Sequence, residues 1–212
     1  MKAIEDKLGL PFVPHPHPRP PSVVDGGKAF TTEDILHYIY AILHSPSYRQ
    51  RYEEFLKIDF PRVPLSNDLD LWRELCARGS ELVSLHLMKS PKLERTSVQF
   101  PESGSGMVSS GHPRYVAPGE PAPEGDGELE AGRVYINETQ YFEGIDPEVW
   151  TFEIGGYQVL KKWLRDRKRA DYPLSFDDMR HYQKIVVALE ETMRLMEEID
   201  EVIETHGGWP IE

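Results

Sequence analysis

The segment from Trp150 to Arg169 carries the residue types best suited to binding chemistry in this chain. Aromatic residues, two adjacent glycines and six basic residues share its twenty positions. Lysine and arginine suit phosphate oxygens, and Gly155 with Gly156 permits a tight backbone turn or the close approach of a partner. The segment therefore predicts either a nucleic-acid contact or a solvent-exposed basic helix. The phosphate-binding candidates are Lys161, Lys162, Arg165, Arg167, Lys168 and Arg169.

The sequence offers no catalytic or metal-binding constellation. His15 and His17 are two positions apart in a proline-rich stretch without a second ligand cluster, so surface histidines are the better interpretation. Cys76 falls on an apolar helical face, which indicates a packed thiol. No G-x-S-x-G, P-loop or G-x-G-x-x-G pattern occurs. We expect no catalytic residue, no metal and no cofactor.

The overall charge hides a local one. The 212 residues have a formal charge of −12, but residues 120–130 and 177–204 supply eleven of these negative charges. The rest of the chain is nearly neutral and contains the basic cluster at 161–169. A single cysteine excludes an internal disulfide, and the sequence has no apolar stretch long enough to cross a bilayer. We expect a soluble, cytoplasmic protein that makes no membrane contact.

Hydrophobic spacing predicts the elements that position these residues. The pattern predicts an α+β fold that is mainly helical, with a small β-element in the middle and a long C-terminal helix packed on the N-terminal helices. Thr31 and Asp34 form a capping-box pattern ahead of the first helix, and Ser66 or Asn67 is the expected cap of the third. Ser45 and Pro46 predict the start of the second helix. The remaining predicted elements are strands at 96–100, 133–136 and 149–154 and helices at 157–167 and 176–204.

Composition divides the chain into three parts. Residues 1–29 contain many prolines, which predicts an extended arm or linker rather than a packed element. Residues 30–206 form the predicted domain, and within it residues 101–132 are predicted to be a flexible, acidic Gly/Pro-rich surface loop. Residues 207–212 are a tail.

Five stretches of sequence resemble a known family in their residues and in their order along the chain. They are similar to the C-terminal specificity region, or target recognition domain, of type ISP restriction-modification enzymes. Those enzymes combine a nuclease, a helicase-like ATPase, an adenine-N6 methyltransferase and a target recognition domain in one polypeptide. The stretches are Phe30–Arg49, Phe60–Pro64, Leu85–Leu87, Gly132–Asn137 and Trp150–Arg169.

The resemblance implies a DNA target recognition domain that is not an enzyme by itself. It would position duplex DNA for adenine-N6 methylation and cleavage by the methyltransferase and helicase/nuclease domains of a parent polypeptide. The alternative is a docking module that packs on the methyltransferase core without reading bases. Methyltransferase and Walker motifs are absent, so the chain is not expected to methylate or translocate. By side-chain chemistry, the base-contact candidates are Arg133, Asn137, Gln140 and Gln158.

Overall fold

The computed structural model describes residues 2–14, 27–123, 125 and 127–211, which divide into two compact units. The first unit consists of residues 1–90 and 191–212, and the second of residues 91–190. The predicted histidine pair, His15 and His17, lies outside the described residues, as do the prolines between 16 and 21.

Helices build the first unit. They are α1 (Lys2–Leu8), α2 (Thr32–His44), α3 (Pro46–Arg51), α4 (Glu53–Leu56), α5 (Leu69–His86) and the C-terminal part of α8 (Phe176–Thr205). The prediction of an extended arm is wrong for Lys2–Leu8, because these residues are helical and Leu8 is buried. The prolines begin only at position 11, so they cannot break α1.

Local capping sets the ends of these helices. Thr31 and Asp34 form the predicted capping box at α2, and the Ser45 side chain accepts a hydrogen bond from the Tyr48 amide at the start of α3. The prediction for α5 is wrong by one or two residues, since Asp68 is its cap. The Asp68 carboxylate accepts hydrogen bonds from the amides of Asp70 and Leu71, because a carboxylate suits the positive helix N-terminus better than a neutral side chain.

The core of the first unit lies between α2 and α5. Tyr38 stacks on Trp72 with ring centroids 4.1 Å apart, and both side chains are fully buried. Gly79 lets the helices approach closely, since a Cβ there would stand 1.9 Å from the carbonyl oxygen of His37. The C-terminal part of α8 packs on these helices through buried Leu195, Ile199 and Ile203, with the hydrogen bonds that Asp200 accepts from Ser45 and Ser47 as polar anchors.

A small antiparallel sheet lies at the centre of the second unit. Its strands, in spatial order, are β1 (Arg114–Val116), β2 (Arg133–Tyr135) and β3 (Tyr141–Glu143). Around it lie the 3₁₀ turn Pro91–Glu94, helix α6 (Pro147–Thr151), the hairpin of β4 (Glu153–Ile154) and β5 (Tyr157–Gln158), helix α7 (Val159–Ala170) and the first part of α8.

Three sequence predictions in this unit are wrong. Residues 149–154 are not a single strand, because Pro147 occupies the first turn of a helix that extends to Thr151. Residues 101–132 are not only a surface loop, since they contain β1 and pack Ala122 and Leu129 with Val116, Tyr135 and Tyr141. At 96–100 the structure shows an isolated bridge between Gln99 and Glu143 in place of the predicted strand.

Candidate nucleic-acid interface

Helix α7 is held in the second unit by one apolar face. Leu160 and Leu164 are completely buried, and Trp163 packs against the buried Tyr182 with ring centroids 5.3 Å apart. Trp163 and Leu164 follow Leu160 by three and four residues, and the three anchors therefore lie on one side of the helix. The residues on the opposite side turn away from the core. We call Lys161, Lys162, Arg165 and Arg169 the outer face of α7.

The outer face borders a solvent-open hollow of about 270 Å³. The β4–β5 hairpin forms its other wall, so that Gln158 at the start of α7 faces the same hollow as the four cations. Two acids also line it. The complete set is Glu153, Gly156, Tyr157, Gln158, Lys161, Lys162, Arg165, Asp166 and Arg169, and we call this site the basic hollow.

The outer face is only partly neutralised within the fold. Lys162 pairs with Asp166 at 2.5 Å, and Arg169 approaches the same carboxylate at 3.8 Å with 84% of its side chain exposed. The hydrogen bond from Lys162 lowers the pKa of Asp166. Lys161 and Arg165 have no acidic partner among the residues that the structure describes. The basic hollow therefore keeps a net positive charge at neutral pH.

The two other predicted phosphate ligands have partners inside the unit. The Nε of Arg167 lies 3.3 Å from Asp178, and its guanidinium lies 4.1 Å from the centroid of the Trp163 ring. A hydrogen bond from the Ser175 side chain, with further help from Arg167, lowers the pKa of Asp178. Lys168 donates to the carbonyl of His112 at 3.5 Å. These two cations contribute to packing, which sequence spacing does not reveal.

Gln140 does not reach the surface, and the amide of the half-buried Asn137 makes its hydrogen bonds within the fold. Gln140 is 1% exposed, and its Oε1 accepts hydrogen bonds from the Gly106 amide at 2.8 Å and from Asn137 Nδ2 at 2.9 Å. Its Nε2 donates to the carbonyl of Glu102. Asn137 Nδ2 also donates to the carbonyl of Met107. Burial of this kind is inconsistent with the prediction that Gln140 contacts bases, and it gives Asn137 a structural role.

Arg133 lies in a hollow of opposite charge. Its Nε contacts Glu143 at 2.5 Å, and its guanidinium covers the Tyr141 ring at 4.2 Å. The surrounding hollow, of about 600 Å³, is lined by Glu102, Glu128, Glu130 and Glu143. We call it the acidic hollow. Arg133 is thus compensated within the fold, and phosphate oxygens would meet four carboxylates there.

The predicted backbone turn is present as a two-residue hairpin connection. Gly155 and Gly156 both have positive φ, +59° and +78°, and they join the cross-strand pair Ile154 and Tyr157. Hairpins of this length favour turns with positive φ, because their twist matches that of the strands. Ile154 is exposed because it lies near the tip of this hairpin. The sequence analysis did not select it, since it predicted a single strand at 149–154 and no hairpin.

No group of three or more His, Cys, Asp or Glu side chains is placed to hold a metal among residues 2–14, 27–123, 125 and 127–211. Cys76 is a packed thiol, as predicted, because it is fully buried and donates to the Asp34 carbonyl. A membrane-spanning helix does not occur among the described residues either.

Solved structures share this fold. One is a DrdV–DNA complex, which matches 78% of this chain at 20% identity with a TM-score of 0.53, over 18% of its own length. A second is a nuclease-deletion mutant of the type ISP restriction-modification enzyme LlaGI in complex with a DNA substrate mimic. It matches 81% of this chain at 19% identity with a TM-score of 0.52, over 14% of its own length. A third is the ATP-dependent type ISP restriction-modification enzyme LlaBIII bound to DNA. It matches 80% of this chain at 22% identity with a TM-score of 0.52, over 11% of its own length.

The fold is thus that of a small part of much longer proteins, since the chain spans less than a fifth of each of these structures. None of the curated proteins compared with this chain matches it. Residues 2–198 match the family described as the type ISP C-terminal specificity domain. The chain belongs to this family, and the match includes α1 in addition to the region predicted from residue 30 onward.

Proposed function

We propose that this chain recognises a sequence of duplex DNA through the basic hollow and is not catalytic by itself. In this proposal it acts in the cytoplasm and positions DNA for adenine-N6 methylation and cleavage by the methyltransferase and helicase/nuclease domains of a parent polypeptide. Membership of the specificity-domain family supports the role, as do the DNA complexes formed by proteins of the same fold.

The observation that carries the proposal is the position of Gln158 among the four cations. Cations suit phosphates without regard to sequence, whereas a glutamine amide can make a paired hydrogen bond to adenine. Gln158 is half-buried at the start of α7 and makes no side-chain capping bond there. The basic hollow therefore combines groups that hold the DNA backbone with one that can read a base edge.

The proposal predicts a salt-dependent affinity that depends on the outer face. We expect the variant K161Q/K162Q/R165Q/R169Q to bind random-sequence duplex about 100-fold more weakly than the parent chain near 0.1 M salt. The slope of log K against log salt should become shallower by about three to four, because each lost phosphate contact removes about 0.9. Fluorescence anisotropy of a labelled duplex at four salt concentrations measures both quantities.

A matched control removes the same charge from the first unit. The variant R51Q/K57Q/R62Q/K89Q changes four exposed cations. Its DNA affinity should stay within about a factor of three of that of the unmodified chain, because a change in net charge far from the interface is largely screened. If both variants bound DNA equally well, the outer face of α7 would not be the interface, and the proposal would be wrong.

A second function, docking on the methyltransferase core, is favoured by an apolar surface of the first unit. Phe55, Ile58 and Phe60 are 64%, 81% and 89% exposed, next to a hollow of about 350 Å³ between Tyr48 and Pro64. Contiguous exposed apolar side chains are typical of protein contacts. Docking without base readout predicts that the chain alone does not bind duplex but co-purifies with a methyltransferase fragment of its parent, and that F55S/I58S/F60S abolishes this.

A further inference from the structure

The tip of the β4–β5 hairpin is apolar and more than half exposed. Ile154 and Tyr157 are a cross-strand pair, 55% and 62% exposed. Between them, the turn at Gly155 and Gly156 has nothing within 4 Å of the place where a Cβ would stand. The tip is therefore a thin backbone turn flanked by one aliphatic and one aromatic side chain, and neither side chain is used in the core of this unit.

The root of the hairpin, by contrast, is anchored. The amide of Val159 donates to the carbonyl of Phe152 at 3.3 Å, and α6 ahead of it buries Trp150, whose ring stacks on Tyr115 at 5.5 Å. After the hairpin, α7 is fixed by the buried Leu160. An anchored root and a bare apolar tip give a rigid projection, which reduces the ordering entropy that binding must overcome.

Charge beside the tip indicates what it contacts. The ammonium of Lys162 lies 6.0 Å from the centroid of the Tyr157 ring, and Gly156 and Tyr157 line the basic hollow together with the outer face of α7. An apolar group next to cations suits a ligand that has anionic oxygens outside and flat apolar surfaces inside. Duplex DNA has this arrangement, since its phosphates surround stacked bases.

We propose that Ile154 and Tyr157 form a wedge that inserts at one base step and partly unstacks it, while the outer face of α7 holds the neighbouring phosphates. The wedge rests on the proposed DNA binding and adds a mode of recognition to it. Apolar side chains inserted in this way kink DNA and favour steps that unstack readily. Pyrimidine–purine steps are the most easily deformed, so the wedge would contribute sequence preference where no hydrogen bond is made.

The test needs a duplex that the chain prefers, which is obtained by enriching a random-sequence pool on the full chain. In that duplex, 2-aminopurine replaces each adenine in turn, because its fluorescence rises when it is unstacked. We expect one position to brighten at least threefold at saturation. In the double variant I154S/Y157S, this signal should disappear and affinity should fall about tenfold, in the range for loss of an aromatic–base contact.

Two further variants separate the wedge from other effects. Y157F keeps the aromatic ring and should keep the signal, whereas K161Q/R165Q should weaken binding and flatten the salt slope but leave the signal unchanged at saturation. The salt slope of I154S/Y157S should equal that of the parent chain. Thermal unfolding of I154S/Y157S should match the parent, because both side chains are more than half exposed.

Each outcome decides between the two proposals. If the chain binds duplex with a steep salt dependence but no position brightens, or if I154S/Y157S keeps the signal, the wedge is wrong and the DNA interface stands. If no duplex is enriched and the affinity for duplex DNA is independent of salt, both proposals are wrong. The tip is then a contact for protein. Self-association of the unmodified chain, but not of I154S/Y157S, would show this.

Discussion

Two groups of predicted DNA contacts in the second unit differ in where their partners are. Arg133, Asn137 and Gln140, around the sheet, find their partners inside the fold. Gln158 and the outer face of α7 surround an open hollow. Both groups contain side chains with the right hydrogen-bonding chemistry for DNA, so side-chain type alone did not distinguish them.

The difference teaches that a binding side chain is defined by what is left unsatisfied. A buried amide that lost its partners would destabilise the fold, because folding has removed the water that could replace them. An exposed amide or guanidinium can exchange water for a ligand at little cost. The two groups should therefore respond oppositely to substitution: the sheet group through stability, and the α7 group through DNA affinity.

Gln140→Ala is expected to have the largest effect on stability. It removes acceptors from the Gly106 amide and from Asn137 Nδ2, so the free energy of unfolding should fall by about 3 kcal/mol. DNA affinity of the folded variant should stay within about twofold of the parent, for the basic hollow is untouched. Urea denaturation measures the free energy of unfolding, and fluorescence anisotropy measures the DNA affinity. The exposed neighbour Thr139→Ala is the control, and equal destabilisation by both changes would contradict a special role for Gln140.

Gln158→Ala should show the reverse pattern. We expect DNA affinity for the enriched duplex to fall about tenfold, within the range for one bidentate base contact, and the free energy of unfolding to change by less than about 0.5 kcal/mol. Sequencing pools enriched on the variant should show relaxed preference at one position. The exposed Gln50→Ala on α3 is the control. Unchanged preference together with unchanged affinity would remove Gln158 from the interface.

Arg167→Gln tests the inner side of α7. It breaks the contacts with Asp178 and Trp163 and should lower the free energy of unfolding by about 1 kcal/mol at pH 7. Because the pKa of Asp178 is lowered in the fold, the stability from its charged form is present above about pH 4 and is lost as pH falls further. The difference in the free energy of unfolding between the unmodified chain and the variant, measured by urea denaturation, should therefore be smaller at pH 3 than at pH 7.

Arg165→Gln is the matched change on the outer face. It should leave stability unchanged at both pH values, while it makes the salt slope of DNA binding shallower by about 0.9, against less than about 0.3 for Arg167→Gln. If the two variants gave the same slope, the division of α7 into an outer and an inner side would not describe its DNA contacts.

Glu153→Gln should have the smallest effect and the opposite sign. Glu153 lines the basic hollow, where its charge repels phosphates, so its removal should strengthen DNA binding about threefold at low salt. Glu148→Gln, an exposed acid on α6 that is not among the residues lining the hollow, makes the same change in net charge. Equal gains for both would mean that overall charge, rather than the hollow, controls affinity.

Local signals predicted the long helices well. The capping box at Thr31 and the spacing of apolar residues identify α2 and α8, because both depend on neighbours within four positions. The same reasoning failed for residues 149–154, where alternation resembled a strand, although Pro147 favours a helix start. Six residues of alternation are too few to outweigh such a signal.

The candidate site was predictable only as a segment. Cation clustering identified Trp150–Arg169, but which cations remain available depends on Asp178 and on the His112 carbonyl, which are distant in sequence from those they contact. Likewise, the acidic Gly/Pro-rich composition of residues 101–132 gave no indication that Ala122 and Leu129 pack on the sheet. Long-range pairing of this kind cannot be read from spacing within one segment.

The two-glycine turn at the hairpin tip has a consequence for how such a domain can diversify. Gly79 is constrained by space, since any side chain there would collide with α2. Gly155 and Gly156 are constrained by their positive φ alone and stand in open space, so asparagine or aspartate can replace them with little strain. Substitutions there can therefore change the groups displayed at the tip while the core is preserved, and under the proposed wedge they would alter the preferred base step without loss of stability.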